Sequence, residues 1–135
     1  MFLHASYVGC TCDSNILIRS PDTHVFVIGV ALESGIASSR LYFHTGRDEN
    51  VRTIDLHVIR QHLRDDITNA RIGLHCFTSC DSVSAIYGKG KAKPLKFVQQ
   101  NPTFCSAFQA LGENFTVSEE MVNSLEAFIC ALYRL

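Results

Sequence analysis

Two short apolar runs constrain this chain most. Asn15-Ile16-Leu17-Ile18-Arg19-Ser20 is bounded by polar residues and reads as a buried strand, and Arg40-Leu41-Tyr42-Phe43-His44 reads as a second. Both lie in the first half, and no comparable run follows. Between them, Ser20-Pro21-Asp22 has the chemistry of a helix start: a capping serine, a proline suited to the first turn and an acid facing the positive end of the dipole. The run Val25 to Leu32 is strand-like in composition, and periodicity does not decide it. The start signal and the stop at Gly35 agree, so a helix is expected there. Upstream, Phe2, Leu3, Ala5 and Tyr7 suggest the end of a helix closed by Gly9, as though an element before it were missing.

Past His44 the pattern turns helical. Gly46 to Asn50 is a polar loop, and Thr53 is placed to cap a helix through Leu56, Ile59 and Leu63. Ile72 to Phe77 is a second, short helical segment ending near Asp81. Gly90 opens a helix through Leu95, Phe97 and Val98, with Pro94 admissible only in its first turn and Asn101-Pro102 as its break. Phe104, Phe108 and Leu111 form the next stripe, closed by Gly112. Thr116-x-x-Glu119 has the form of a capping box before a last helix, whose core face carries Met121, Leu125, Phe128, Ile129 and Leu132. The expectation is one domain over 1–135, with an α/β part at 1–81 and a helical part at 82–135.

The charge balance of 12 basic against 13 acidic residues excludes a general polycation, so any contact with nucleic acid must be local. No apolar run reaches the roughly 18 residues of a membrane span. Met1 to Val8 has neither the basic start nor the small-residue cleavage site of a secretory signal. Several of the six cysteines sit in apolar contexts, such as Phe104-Cys105 and Ile129-Cys130, which suggests buried thiols in a reducing, intracellular and even nuclear setting. The spacings Cys10-x-Cys12 and Cys76-x3-Cys80 do not match zinc knuckles.

One local charge concentration stands out. Every lysine in the chain, Lys89, Lys91, Lys93 and Lys96, falls within eight residues, beginning in Tyr87-Gly88-Lys89-Gly90-Lys91. From Ser82 to Gly112 there is no acidic residue. A solvated basic face is the ordinary reading of a lysine cluster. The paired glycines favour a phosphate-binding one, because glycine lets backbone N–H groups approach an anion. Gly90-Lys91 is not a P-loop: Ala92 lacks the hydroxyl, and no glycine stands five positions before Gly90. No nucleophile motif of the Gly-x-Ser-x-Gly kind occurs.

Three stretches resemble one family in order and spacing. Ile16 to His24, with Ser20-Pro21-Asp22-Thr23-His24, resembles the strand and acidic turn of flap-endonuclease-like (XPG-type) nucleases of the PIN-like superfamily. Leu74 to Asp81, ending Thr78-Ser79-Cys80-Asp81, resembles their Gly-Cys-Asp turn. Tyr87-Gly88-Lys89-Gly90-Lys91 stands where their helix–two-turn–helix element grips a duplex backbone. The nearest pattern is that of uncharacterised transposon-associated animal proteins, whose closing helix Phe128 to Tyr133 also resembles. The resemblance implies an α/β fold with a Rossmann-like, PIN-type partial parallel sheet, followed by an all-helical half with a helix–two-turn–helix-like element. It further implies phosphodiester hydrolysis with Mg2+ or Mn2+, which need several converging carboxylates. Asp22 and Asp81 match two of them.

The departures are equally specific. His24 stands where the family has a second aspartate, and imidazole is a poor magnesium ligand. Ser79 replaces the usual glycine, and the acidic motif expected before the first strand does not appear, so the pattern looks truncated and degenerate. The metal candidates are therefore Asp22, His24 and Asp81. The nucleic-acid candidates are Gly88, Lys89, Gly90, Lys91, Lys93 and Lys96, directed at the backbone of branched or duplex DNA. The expected function is a nuclease-like domain that binds nucleic acid and cuts weakly or not at all. The alternatives are an active metal-dependent nuclease completed by an upstream acidic segment, and a non-catalytic interaction module.

Overall fold

The computed structural model describes residues 1–12, 14–36, 40–78, 86–113 and 115–134. Its contacts divide the chain into two units, Met1–Arg64 and Asp65–Leu135. This division falls earlier than the 81/82 division expected from the motifs, because helix 65–78 makes its contacts with the later helices.

In the first unit, helix α1 spans Phe2–Thr11. It runs through Gly9 rather than stopping there; the Cys12 N–H closes it on the Val8 carbonyl, and the Thr11 hydroxyl lies 3.0 Å from the Tyr7 carbonyl and 3.2 Å from that of Val8. Strand β1 is Ile16–Arg19, helix α2 is Thr23–Leu32, and a single 3-10 turn at Glu33–Gly35 completes the crossover. Strand β2 is Leu41–Thr45 and pairs parallel to β1, with Ile16 opposite Leu41. The expected strand–helix–strand unit is therefore present. Asp22, not Ser20, occupies the cap of α2, its carboxylate accepting from the His24 N–H at 2.8 Å. The Ser20 hydroxyl instead accepts from the N–H of Asp22.

The sheet has a third strand that the sequence reading missed, β3 at Arg52–Asp55. It pairs antiparallel to β2, so the three-stranded sheet, in order β1-β2-β3, is mixed rather than wholly parallel. Connection length decides this: a parallel return needs a crossover of roughly a dozen residues, and 46–51 allows only a tight reversal. Gly46 sits in that reversal at φ +96°, and a Cβ there would collide with the Asn50 carbonyl. Thr53, expected as a helix cap, lies in the strand and meets His44 Nδ1 at 3.0 Å. The cap of helix α3 (Leu56–Gln61) is Asp55, accepting from the N–H groups of His57 and Val58. Ala5, Ile18, Val30, Ile36, Leu41, Phe43 and Leu56 form the core of this unit.

Among the described residues of the second unit the regular elements are all helices. Helix α4 spans Asp65–Thr78, starting well before the short segment expected at 72–77. Asp65 and Asp66 in its first turn suit the positive end of the dipole. Gly73 does not interrupt it; a Cβ there would meet the Phe108 carbonyl, so glycine permits close approach of the next helices. Helix α5 is Ala92–Gln100, with Pro94 in its first turn as expected, and the Asn101 side chain closes it by donating to the Phe97 carbonyl at 2.9 Å. A 3-10 turn at Pro102–Phe104 leads into helix α6, Cys105–Ala110. Helix α7 spans Glu119–Arg134. Its cap is Ser118, whose hydroxyl accepts from the Met121 N–H, rather than the expected Thr116.

Phe128 is the centre of this second core. Its ring centroid lies 5.0 Å from that of Phe108, 5.6 Å from Phe104, 5.7 Å from Phe97 and 6.3 Å from Phe77. Leu125 and Leu132 are buried on the same face of α7. Cys130 falls on the other face and is exposed, as are Cys10, Cys12 and Cys76; only Cys105 of the described cysteines is buried. The expectation of generally buried thiols is thus corrected by helical phase. Among the described residues, no helix is long and apolar enough to cross a membrane.

Candidate nucleic-acid interface

The lysine segment is built as a tight turn feeding a helix. The Lys89 N–H donates to the Ile86 carbonyl at 3.2 Å, closing a turn with Gly88 at φ +69°. That conformation favours glycine over any residue with a Cβ. The Lys93 N–H then donates to the Gly90 carbonyl at 3.0 Å and the Leu95 N–H to the Lys91 carbonyl, which begins α5. A Cβ at Gly88 or Gly90 would meet nothing within 4 Å, so the backbone of both faces open space.

Two lysines are held by neighbouring helices. The Lys89 ammonium lies over the Tyr133 ring, 5.4 Å from its centroid, within cation–π range. The Tyr133 hydroxyl donates to the Tyr87 carbonyl at 3.0 Å. One side chain of α7 thus holds the turn by its backbone and its cation together. The Lys91 ammonium lies 3.2 Å and 3.4 Å from the two ring nitrogens of His75, a buried residue of α4. Lys93 and Lys96 are exposed on α5 and, three residues apart, are neighbours on its surface. None of the four ammonium groups is ion-paired with a described carboxylate. The six candidates for backbone contact therefore occupy one turn and the first turns of the following helix. Tyr87 and Tyr133 belong with them, and the sequence reading did not single them out. Tyr87 was legible as an aromatic inside the motif, whereas nothing in the sequence announces the long-range role of Tyr133.

The metal candidates fare differently. Asp22 and His24 are adjacent, with Asp22 Oδ1 at 2.8 Å from both the N–H and Nδ1 of His24. That oxygen is committed to capping α2. Asp81 lies outside the described residues. Among the described residues no three His, Cys, Asp or Glu side chains gather as a metal site, and magnesium or manganese calls for several hard oxygen ligands, of which Asp22 is one. Asp22 does line a cleft of about 170 Å3 with Pro21, Thr23, Phe26, Phe43, Thr45 and Ile54. It opens at the carboxyl ends of the parallel pair β1 and β2, where α/β sheets bind ligands.

A separate polar cluster in the first unit also escaped the sequence reading. Glu33 is buried, its Oε1 2.9 Å from His57 Nδ1 and its Oε2 3.9 Å from Arg60 Nε, while His57 Nε2 meets the Gln61 amide at 2.8 Å. Both ring nitrogens are thus engaged, and the cluster acts as a strut between the 3-10 turn and α3. Nearby, Asp55 holds Arg40 at 2.7 Å. Burial opposes ionisation of Asp55, but the Arg40 hydrogen bond and charge, with the Val58 and His57 N–H groups, outweigh it and hold its carboxyl below the usual range.

Compared with known proteins, the chain matches no family model, no curated protein and no solved structure.

Proposed function

We propose that the segment from Tyr87 to Lys96 binds the phosphodiester backbone of DNA, on a PIN-like nuclease scaffold that cleaves weakly or not at all. The observation that carries this reading is the gathering of all four lysines on one acid-free turn and helix start, with no described carboxylate paired to them. Phosphate contacts of this kind give affinity with little sequence preference. Each neutralised phosphate of a duplex releases counterions, at about −0.9 in the slope of log K against log salt. Four contacts therefore predict a slope of roughly −3.6. Electrophoretic shift and salt titration on duplex and branched DNA test it. Replacing Lys89, Lys91, Lys93 and Lys96 by glutamate abolishes binding if the reading is right; undiminished binding removes it and leaves an interaction module of another kind.

The cleft beside Asp22 favours a second reading, a divalent-metal-dependent phosphodiesterase centred there and completed by Asp81 or by acids from elsewhere. Incubation of a labelled flap substrate with magnesium or manganese decides it. Cleavage lost in Asp22→Asn supports this reading, since asparagine still caps the helix. No cleavage with either metal ends it for this chain.

A further inference from the structure

The turn carries an aromatic ring that backbone binding does not use. Tyr87 is 90% exposed, against 49% for Tyr133, so its ring is open to solvent. Its backbone, by contrast, is fixed: the carbonyl accepts from the Tyr133 hydroxyl, and the turn around it is closed by the Lys89 N–H and by the conformation of Gly88. A fixed backbone presenting a freely accessible ring, immediately before four lysines, is the arrangement of a stacking platform. Cations track the phosphates while a base lies on the aromatic face.

We infer that Tyr87 stacks on an unpaired base, so that the preferred ligand of this segment is a single-stranded stretch of nucleic acid rather than a continuous duplex. This rests on the backbone-binding reading above and names its substrate class. Bases inside a duplex already stack on one another and offer the ring no face. An unpaired base offers one whatever its identity, so little sequence preference follows. Lys89 lies over the Tyr133 ring, whose hydroxyl also bonds the Tyr87 carbonyl, so its charge stays at the turn. Lys91, Lys93 and Lys96 continue the positive track into α5.

The test is a fluorescence anisotropy titration of the full chain with a labelled oligothymidine of roughly 12 nucleotides and with a duplex of equal length. Three proteins are compared: the unaltered chain, Tyr87→Ala and Tyr87→Phe. Loss of one stacked base lowers single-strand affinity by about 5- to 150-fold in Tyr87→Ala. Tyr87→Phe retains the ring and stays within about twofold, and the salt slope and duplex affinity of both variants match those of the unaltered chain. Equal losses on both ligands in Tyr87→Ala, or no loss on the single strand, overturn the stacking inference while leaving backbone binding in place. Failure of the unaltered chain to bind either ligand overturns both. Far-UV circular dichroism of the variants, expected unchanged at so exposed a position, guards against loss of fold.

Discussion

Truncating Phe128 to alanine removes the hub of the helical unit. The side chain is fully buried, at 0% exposure, and its ring meets those of Phe77, Phe97, Phe104 and Phe108. Burying a phenylalanine side chain contributes about 1.5–3 kcal/mol, and each favourable ring pair roughly 0.5–1.5 kcal/mol beyond that. The four neighbours come from α4, α5, α6 and the preceding 3-10 turn, so no one of them can shift into the gap without losing its own contacts. The cavity therefore stays open, and the cost falls in the upper part of the range for such truncations, about 4–5 kcal/mol. A unit of this length, roughly 70 residues, has a total stability of only about 4–10 kcal/mol. Urea unfolding followed by far-UV circular dichroism measures the change; the chain has no tryptophan, so indole fluorescence does not serve. Phe128→Leu, which keeps most of the volume, is expected to cost about 1–2 kcal/mol. Phe115→Ala, at a fully exposed ring, stays within about 0.5 kcal/mol. A loss under about 1 kcal/mol for Phe128→Ala, or equal losses for the alanine and leucine variants, would refute the hub argument.

Three further outcomes are expected. Gly73→Ala forces α4 away from the Phe108 carbonyl and destabilises the helical unit by roughly 1–3 kcal/mol, read as a lower urea midpoint at unchanged slope. Gly90→Ala meets no atom and requires no unusual φ, so its unfolding midpoint holds or rises slightly; if a phosphate approaches that backbone, its DNA affinity falls, and unaltered affinity argues against the contact. Because the folded carboxyl of Asp55 titrates below its unfolded value, its contribution is present above the ordinary carboxylate range and is lost as pH falls through the depressed folded value. The acid side of the melting temperature profile should accordingly be shallower in Asp55→Asn, and an identical profile contradicts the Arg40 pairing as its cause.

What the sequence made legible was local. The strand–helix–strand start was readable because cap, proline and stop signals bracketed a run whose composition alone was ambiguous. Helices α5, α6 and α7 were readable because their apolar stripes face the Phe128 core at helical spacing. β3 was hidden because its four residues are too short to show alternation and are stabilised by pairing with β2, a contact the sequence does not advertise. The caps were misassigned at three places by one cause: Ser20, Thr53 and Thr116 each compete with a nearby Asp or Ser, and only the backbone position of the helix start selects among them. The lysine segment was visible as a charge pattern, yet what orders it, a tyrosine more than forty positions downstream of the turn, emerges only when the helices are packed.

That tyrosine has a dynamic consequence. Tyr133 lies in the last turn of α7, where helical hydrogen bonds fray at far lower free energy than global unfolding. Each fraying event releases the Tyr87 carbonyl and the seat of Lys89 together. The order of the turn thus tracks the winding of a helix end remote from it in the chain. A polyanion that immobilises the turn would, by reciprocity, slow amide exchange in the final turn of α7 without touching it.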